Sequence, residues 1–216
     1  KTLRHSSEEI GGFEKVIDQF KFREGTIVAA LEESGVKLED LTAVVGRGGL
    51  LRPISSGVYA VNEEMVEDLK SAKYGEHASN LGGIIALEIS KRVGCPAYIA
   101  DPVVVDEMCD VARVGGHPMF PRLSIFHALN HKAIAKLYAK EIGRDYNDLN
   151  LVVAHLGGGC SIAAHSKGKV VDVNNALMGD GPFSPERTGG ISAMQLAKVC
   201  FSGEYTHEEI KKIISG

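Results

Sequence analysis

The stretch "LVVAHLGGGCSIAAHSKGKVVDV", residues 151–173, sets three consecutive glycines between two apolar segments and adds a second small turn after them. "LNLVVAHL", "CSIAAH" and "KVVDV" each read as a strand. The turns joining them are too short for a crossover helix, so the three strands are expected to form an antiparallel meander. That order of elements sorts the possible glycine loops. A dinucleotide fingerprint needs a strand, G-x-G-x-x-G and then a helix whose N-terminus receives the pyrophosphate, and here a strand follows. A Walker loop needs G-x-x-x-x-G-K-[ST] before a helix, and that spacing is absent. The reading that fits is a hairpin turn whose backbone N–H groups face phosphate oxygens, with Ser161 adding a hydroxyl. An ordinary hairpin, whose glycines only supply positive φ, stays open, although such a turn seldom uses three.

The pattern before this stretch is different. Apolar residues recur at helical spacing over 7–34 (Phe13, Val16, Ile17, Phe20, Ile27, Val28, Leu31), and Gly35 suits the helix end. "LTAVVG" (41–46) is a β-branched run closed by glycine, and Asn62 caps a short helix with acids in its first turn. A helix over 79–93 stops at Gly94, and "PAYIAD" (96–101) is a strand ending at Asp101. A long helix over 124–142 has Gly143 at its end. Helix, strand, helix, helix, strand, helix predicts an α/β fold with parallel strands. The change of pattern predicts two domains, 1–150 and 151–216.

Composition narrows the partners. The chain has 216 residues, enough for a sizeable core, and its 25 glycines cluster at turns. Cys95, Cys109, Cys160 and Cys200 lie in no short paired spacing, which reads as free thiols in a reducing cytoplasm. No run of 18 apolar residues suggests a membrane span, and "KTLRHSSEEI" lacks the apolar stretch of a signal peptide. A net charge of −4 with both signs interspersed offers no basic face for nucleic acid. Small molecules or other proteins are the expected partners.

Taken together, the glycine stretch, "NNALMGDGPFSPERTGG" (174–190), "FHALNHK" (126–132), "EHASNLGG" (76–83) and "VVGRGGLLRP" (44–53) resemble the acetate kinase family. The resemblance covers essentially the whole chain, and "VVDVNNALMGDGPFSPERTGG" is similar to the family's butyrate kinase branch. It implies an actin-like ATPase fold: two domains of ribonuclease-H-like topology, with mixed sheets flanked by helices. The implied reaction is butyrate plus ATP to butyryl phosphate plus ADP, by direct in-line phosphoryl transfer with Mg²⁺, in a cytoplasmic homodimer or higher homo-oligomer. Acetate, propionate or a branched acid is the alternative substrate. A non-catalytic nucleotide-binding or chaperone-type ATPase module on the same superfold is the alternative of another class, and arginines suited to a carboxylate argue against it.

A carboxylate is already ionised at neutral pH, so such a site needs no strong base. It must hold two anions together and neutralise the transferring phosphoryl group. Arg47, set among glycines at a strand end, has a planar fork suited to a carboxylate, and the resemblance makes it the arginine that binds the acid. The resemblance likewise makes Arg187 the arginine that meets the phosphoryl group in flight. His127 and His131 stand at i and i+4 on the helix read over 124–142. The spacing resembles a zinc H-E-x-x-H, but Ala128 replaces the glutamate. By resemblance His127 donates to the phosphoryl group and His131 supports it. Asp101, at a strand end before Pro102, is by resemblance a catalytic aspartate that orders Arg47 or holds Mg²⁺. His77 and Asn80 match the acid-binding region, although "HASN" departs from the H-N-P-x-N of acetate kinases. His155, Gly157, Gly158, Gly159 and Ser161 form the nucleotide-phosphate set, with His155 fixing the loop. The family's opening N-x-G-S-[ST]-S-x-K loop, its adenosine loop and a late acidic metal ligand are not found in this sequence, so the 216-residue chain alone is expected to show no kinase activity.

Overall fold

A computed structural model describes residues 2–216. The chain forms two compact units. One holds the chain up to Arg52 together with Gly57–Pro102, and the other holds Pro53–Ser56 and Val103–Gly216.

In the first unit, α1 (Ser7–Gly11) and α2 (Phe20–Glu33) replace the single helix expected over 7–34. Gly11 and Gly12 interrupt the helix, and the 3₁₀ turn Val16–Gln19 re-aims the chain. Strand β1 (Val44–Arg47), strand β2 (Val58–Ala60), helix α3 (Glu63–Lys70), helix α4 (Asn80–Val93) and strand β3 (Ala97–Ala100) follow. The sheet order is β1-β3-β2, with β1 parallel and β2 antiparallel to β3. The parallel β1–β3 pair is the one expected. Strand β2 is only three residues long and carries no period-2 signal that the sequence could show. Helix α4 ends as expected at Gly94, which takes a left-handed φ of 74°. It covers β1 and β3 with Leu81, Ile84, Ile85 and Ile89, all buried. Buried Glu24 of α2 pairs with Arg92 of α4 and ties the two helices together.

The second unit contains α5 (Ala128–Glu141), β4 (Asn150–Leu156), β5 (Cys160–Ser166), β6 (Lys169–Val173), α6 (Ala193–Cys200) and α7 (His207–Ser215). The three strands form the expected antiparallel meander in the order β4-β5-β6. Helix α5 starts at Ala128 rather than at 124, with His127 at its N-cap. The three residues before His127 are held by other chain segments: Ser124 Oγ donates to the Val105 carbonyl at 2.7 Å, and the Phe126 N–H donates to Val103 at 3.0 Å. The division falls at Pro102–Val103, whereas the sequence pattern places a boundary near residue 150. Residues 103–150 pack with the meander: Val105, Met108 and Phe126 share one core with Ala163, Val170 and Val173. Ala135, Ala139 and Tyr146 share another with Leu149 and Val153. The switch of pattern at residue 150 is therefore a change of topology inside one unit.

Candidate active site

In the first unit, glycines let α4 lie against the end of β1. A Cβ on Gly46 or Gly82 would run into the facing backbone carbonyl, of Gly82 and Arg47 respectively, so only glycine permits this approach. The contact places Arg47, His77 and Ser79 on one cavity of about 520 Å³. Its other walls are mostly apolar and include Ile27, Val44, Ile85 and Ile89. The His77 Nδ1 lies 2.8 Å from Ser79 Oγ and accepts the Ser79 N–H at 3.2 Å, which orients the ring at the start of α4.

Asn80 was expected beside the acid, and its amide is instead committed to backbone. Its Oδ1 accepts from the Leu50 N–H at 2.8 Å, and its Nδ2 donates to the Gly75 carbonyl at 2.9 Å. It is buried, and it braces the "GGLL" loop that follows Arg47. Asp101 has a φ of +36°, a conformation that L residues avoid and that marks stored strain. Its Oδ1 accepts the Gly57 N–H at 2.9 Å while its own N–H donates to the Gly57 carbonyl, also at 2.9 Å. This double bond pair holds the aspartate at the end of β3. Among the described residues no group of three or more His, Cys, Asp or Glu could hold a metal ion. Mg²⁺ is commonly held by one or two carboxylates with phosphate oxygens completing the shell, so a lone Asp101 is compatible with it.

In the second unit, the glycine turn is tied down at both ends. The Gly157 N–H donates to the Gly159 carbonyl at 3.2 Å, and no acceptor among the described residues meets the N–H of Gly158 or Gly159. None of the three glycines lies at positive φ, which removes the bland reason for their presence. The loop carrying Arg187 is fastened to this turn: Ser184 Oγ and the Glu186 N–H both donate to the Gly158 carbonyl, at 2.6 and 3.1 Å. Arg187 is largely buried. Its Nε donates to the Leu177 carbonyl at 3.2 Å, and its Nη1 donates to those of Glu186 and Ser215 at 2.7 and 3.1 Å.

His127 and His155 stack ring on ring, with centroids 3.7 Å apart and planes 8° from parallel. Asn130 Nδ2 donates to His155 Nδ1 at 2.9 Å. His155 lies against the turn, and its Nε2 occupies the place where a side chain on Gly157 would go. Ser161, read as a phosphate ligand, is fully buried, because alternation along β5 turns Ser161, Ala163 and His165 to the inner face. Its hydroxyl lies 2.9 Å from His127 Nδ1 and 2.8 Å from His131 Nε2. His131 Nδ1 meets His165 Nε2 at 3.4 Å, and His165 Nδ1 meets the Tyr146 hydroxyl at 2.6 Å. Burial is the main cause that pushes both His131 and His165 down to about 4, so both rings are neutral at pH 7. For His131 the neighbouring histidines add to this, and for His165 the Lys132 ammonium does. His165 and Tyr146 were not found from the sequence. The one signal was two polar residues at alternate positions of a strand whose inner face is otherwise apolar.

A cavity of about 700 Å³ in the second unit holds none of the expected residues. Lys136, Lys140, Arg144 and Lys169 around it are exposed, while buried Lys132 is neutralised by Glu107 at 2.6 Å. We read this surface as solvated charge.

Comparison with known proteins bears directly on these features. Residues 122–214 match the acetokinase family, a span that includes the histidines, the glycine turn and Arg187. The chain is a homologue of acetokinase-family proteins. All 216 residues align at 58% identity with butyrate kinase 1 of Clostridium acetobutylicum and at 57% with butyrate kinase 2 of the same organism. The chain spans 61% of the length of each. Among solved structures, acetate kinase of Porphyromonas gingivalis superposes with a TM-score of 0.72 at 18% identity, covering 90% of this chain and 52% of that one. A propionate kinase of Francisella tularensis gives 0.67 at 21% identity, covering 92% and 53%. The chain thus shares the α/β fold of these kinases, consistent with the actin-like ATPase type expected from the sequence. No helix among the described residues is long and apolar enough to cross a membrane.

Proposed function

We propose that the protein to which this chain belongs is a carboxylate kinase that phosphorylates butyrate, converting butyrate and ATP to butyryl phosphate and ADP. The observation that carries this reading is the unbroken likeness, over all 216 residues, to proteins named butyrate kinase. The geometry of each unit agrees with it. Arg47 and His77 on an apolar-walled cavity suit a short acid, whose carboxylate takes the guanidinium fork and whose alkyl tail takes Ile85 and Ile89. The Gly158 and Gly159 amides suit phosphate oxygens. An ionised carboxylate oxygen attacks the γ-phosphorus, the bond to the ADP oxygen breaks in line, and ADP leaves with the electron pair. Arg187 and His127 neutralise the equatorial oxygens as the group transfers, with the Arg187 loop fastened to the glycine turn through Ser184 and Glu186. Asp101 carries the carboxylate that would hold Mg²⁺, which supplies charge neutralisation on the phosphates. The four free thiols accord with a cytoplasmic enzyme, and the family resemblance with a homo-oligomer.

The test is acyl phosphate formation by the full-length protein, trapped as hydroxamate, with acetate, propionate, butyrate and isobutyrate. We expect kcat/KM for butyrate to exceed that for acetate by about tenfold or more, since each methylene in an apolar pocket is worth roughly 1–3 kcal/mol. Replacing Arg187 with alanine should lower kcat at least about a hundredfold while ADP binding changes little. ATP hydrolysis without acyl phosphate from any acid would contradict the assignment.

A further inference from the structure

The buried polar chain in the second unit runs from Tyr146 through His165, His131 and Ser161 to His127, with four contacts of 2.6, 3.4, 2.8 and 2.9 Å. Each interior imidazole presents one nitrogen to each neighbour, and the single hydroxyl of fully buried Ser161 lies between His127 and His131 with no other hydrogen-bond partner among the described residues. A neutral imidazole has one N–H and one lone pair, and a hydroxyl has one O–H to give. A hydroxyl can also accept twice, but the buried Ser161 O–H has only these two rings to donate to, and leaving that bond unmade would be costly. With that proton in one of its two links and one proton in each of the others, the direction of donation is the same in all four. Either every bond points toward His127 or every bond points away from it.

The Tyr146 end selects the direction. A phenol is a better acid than a neutral imidazole N–H, and an imidazole lone pair is a strong acceptor, so the 2.6 Å contact is an O–H donating to His165 Nδ1. His165 then donates from Nε2 to His131 Nδ1, His131 from Nε2 to Ser161, and Ser161 to His127 Nδ1. His127 is left with its proton on Nε2. Its ring lies at the glycine turn, where Cε1 is 3.8 Å from a Cβ position on Gly159.

We infer that Tyr146, His165, His131 and Ser161 are positioning residues that together fix His127 as the Nε2–H tautomer, so that it meets a phosphoryl oxygen as a hydrogen-bond donor. The phosphoryl role rests on the functional reading above, whereas the tautomer does not. Other surroundings agree with a chain that orders one tautomer. The ring of His127 is held flat against His155, and that of His131 meets Phe126 edge-on at 5.3 Å, so neither imidazole is placed to flip freely. The charges around the chain are paired off, with Lys132 held by Glu107.

The experiment is ¹⁵N spectroscopy of the imidazoles in the full-length protein at pH 7.5, with kinetics alongside. In the unaltered protein His127 should show a protonated Nε2 and a bare Nδ1. Tyr146→Phe keeps the ring that packs against Ala139, Leu149 and Val153 but removes the O–H, and Ser161→Ala cuts the chain in the middle. Each should raise the Nδ1–H form of His127 and lower kcat about tenfold, the size typical of a lost orienting partner, with both KM values within about twofold. In a His127→Ala background Tyr146→Phe should have no further effect on kcat, which a purely structural role for the hydroxyl would not predict. A protonated Nδ1 in the unaltered protein, or a tautomer unmoved by both substitutions, overturns the inference. If the unaltered protein makes no acyl phosphate, the functional reading fails while the spectra still decide the tautomer.

Discussion

Glycine serves opposite purposes in the two units. At the β1–α4 contact it allows backbone to touch backbone: a methyl group on Gly46 or Gly82 has only a peptide carbonyl to displace. At residues 157 and 158 the space around it is bounded first by side chains, and at 159 more loosely by a backbone carbonyl. A Cβ on Gly158 would meet the Glu186 carboxylate at 2.5 Å, one on Gly157 the edge of His155, and one on Gly159 the Ala176 carbonyl at 3.2 Å. Glu186 is exposed and its end can swing away. The first set of glycines is needed for the unit to close at all, whereas the second leaves amides bare at a turn that its neighbours could hold without them.

The contrast can be broken most forcefully at Gly82. Alanine there gains about 1 kcal/mol of helix propensity, so propensity alone predicts stabilisation. The clash with the Arg47 carbonyl should outweigh this, with a net loss of about 4 kcal/mol or more. Urea unfolding measures it, and a Gly82→Ala variant as stable as the parent would remove the close backbone approach from the account.

Acid should next separate the units. His131 and His165 have folded values of about 4 against an ordinary 6.5. Between those values the unfolded chain takes up protons that the folded chain refuses. Stability is therefore whole above pH 6.5 and drops as pH falls toward 4, by on the order of 3 kcal/mol for a shift of this size. The two rings adjoin, so their effects will not simply add. Hydrogen exchange at pH 7 and pH 4.5, corrected for intrinsic rates, should show β5 losing protection while α4 keeps its own. Equal losses in both would place the sensitivity elsewhere.

Much of this was legible in the sequence, for reasons that differ by element. Strands β4, β5 and β6 are apolar runs cut by short turns, and Gly94 ends α4 because its left-handed φ suits glycine. Arg47 and Arg187 stood out because a charge among glycines and prolines belongs to no amphipathic face. What stayed hidden depends on long-range contact. The break at 12–19 falls inside a regular helical spacing, and the early end of the 124–142 helix is set by Val103 and Val105, about twenty residues away in sequence. The same holds for the polar chain. Ser161 reads as a phosphate ligand until the pleat turns it inward, and nothing near Tyr146 in sequence announces His165 as its partner.

Gly158→Ala should disturb the fold least and bears most directly on the claim that the glycine turn receives the phosphates of ATP. The measurement is calorimetric ADP and ATP affinity of the full-length variant beside its melting temperature. We expect stability within about 1 kcal/mol of the parent, since only the end of Glu186 must move, and nucleotide affinity weakened by about tenfold or more. Unchanged nucleotide affinity in a variant that melts with the parent would contradict the assignment of this turn.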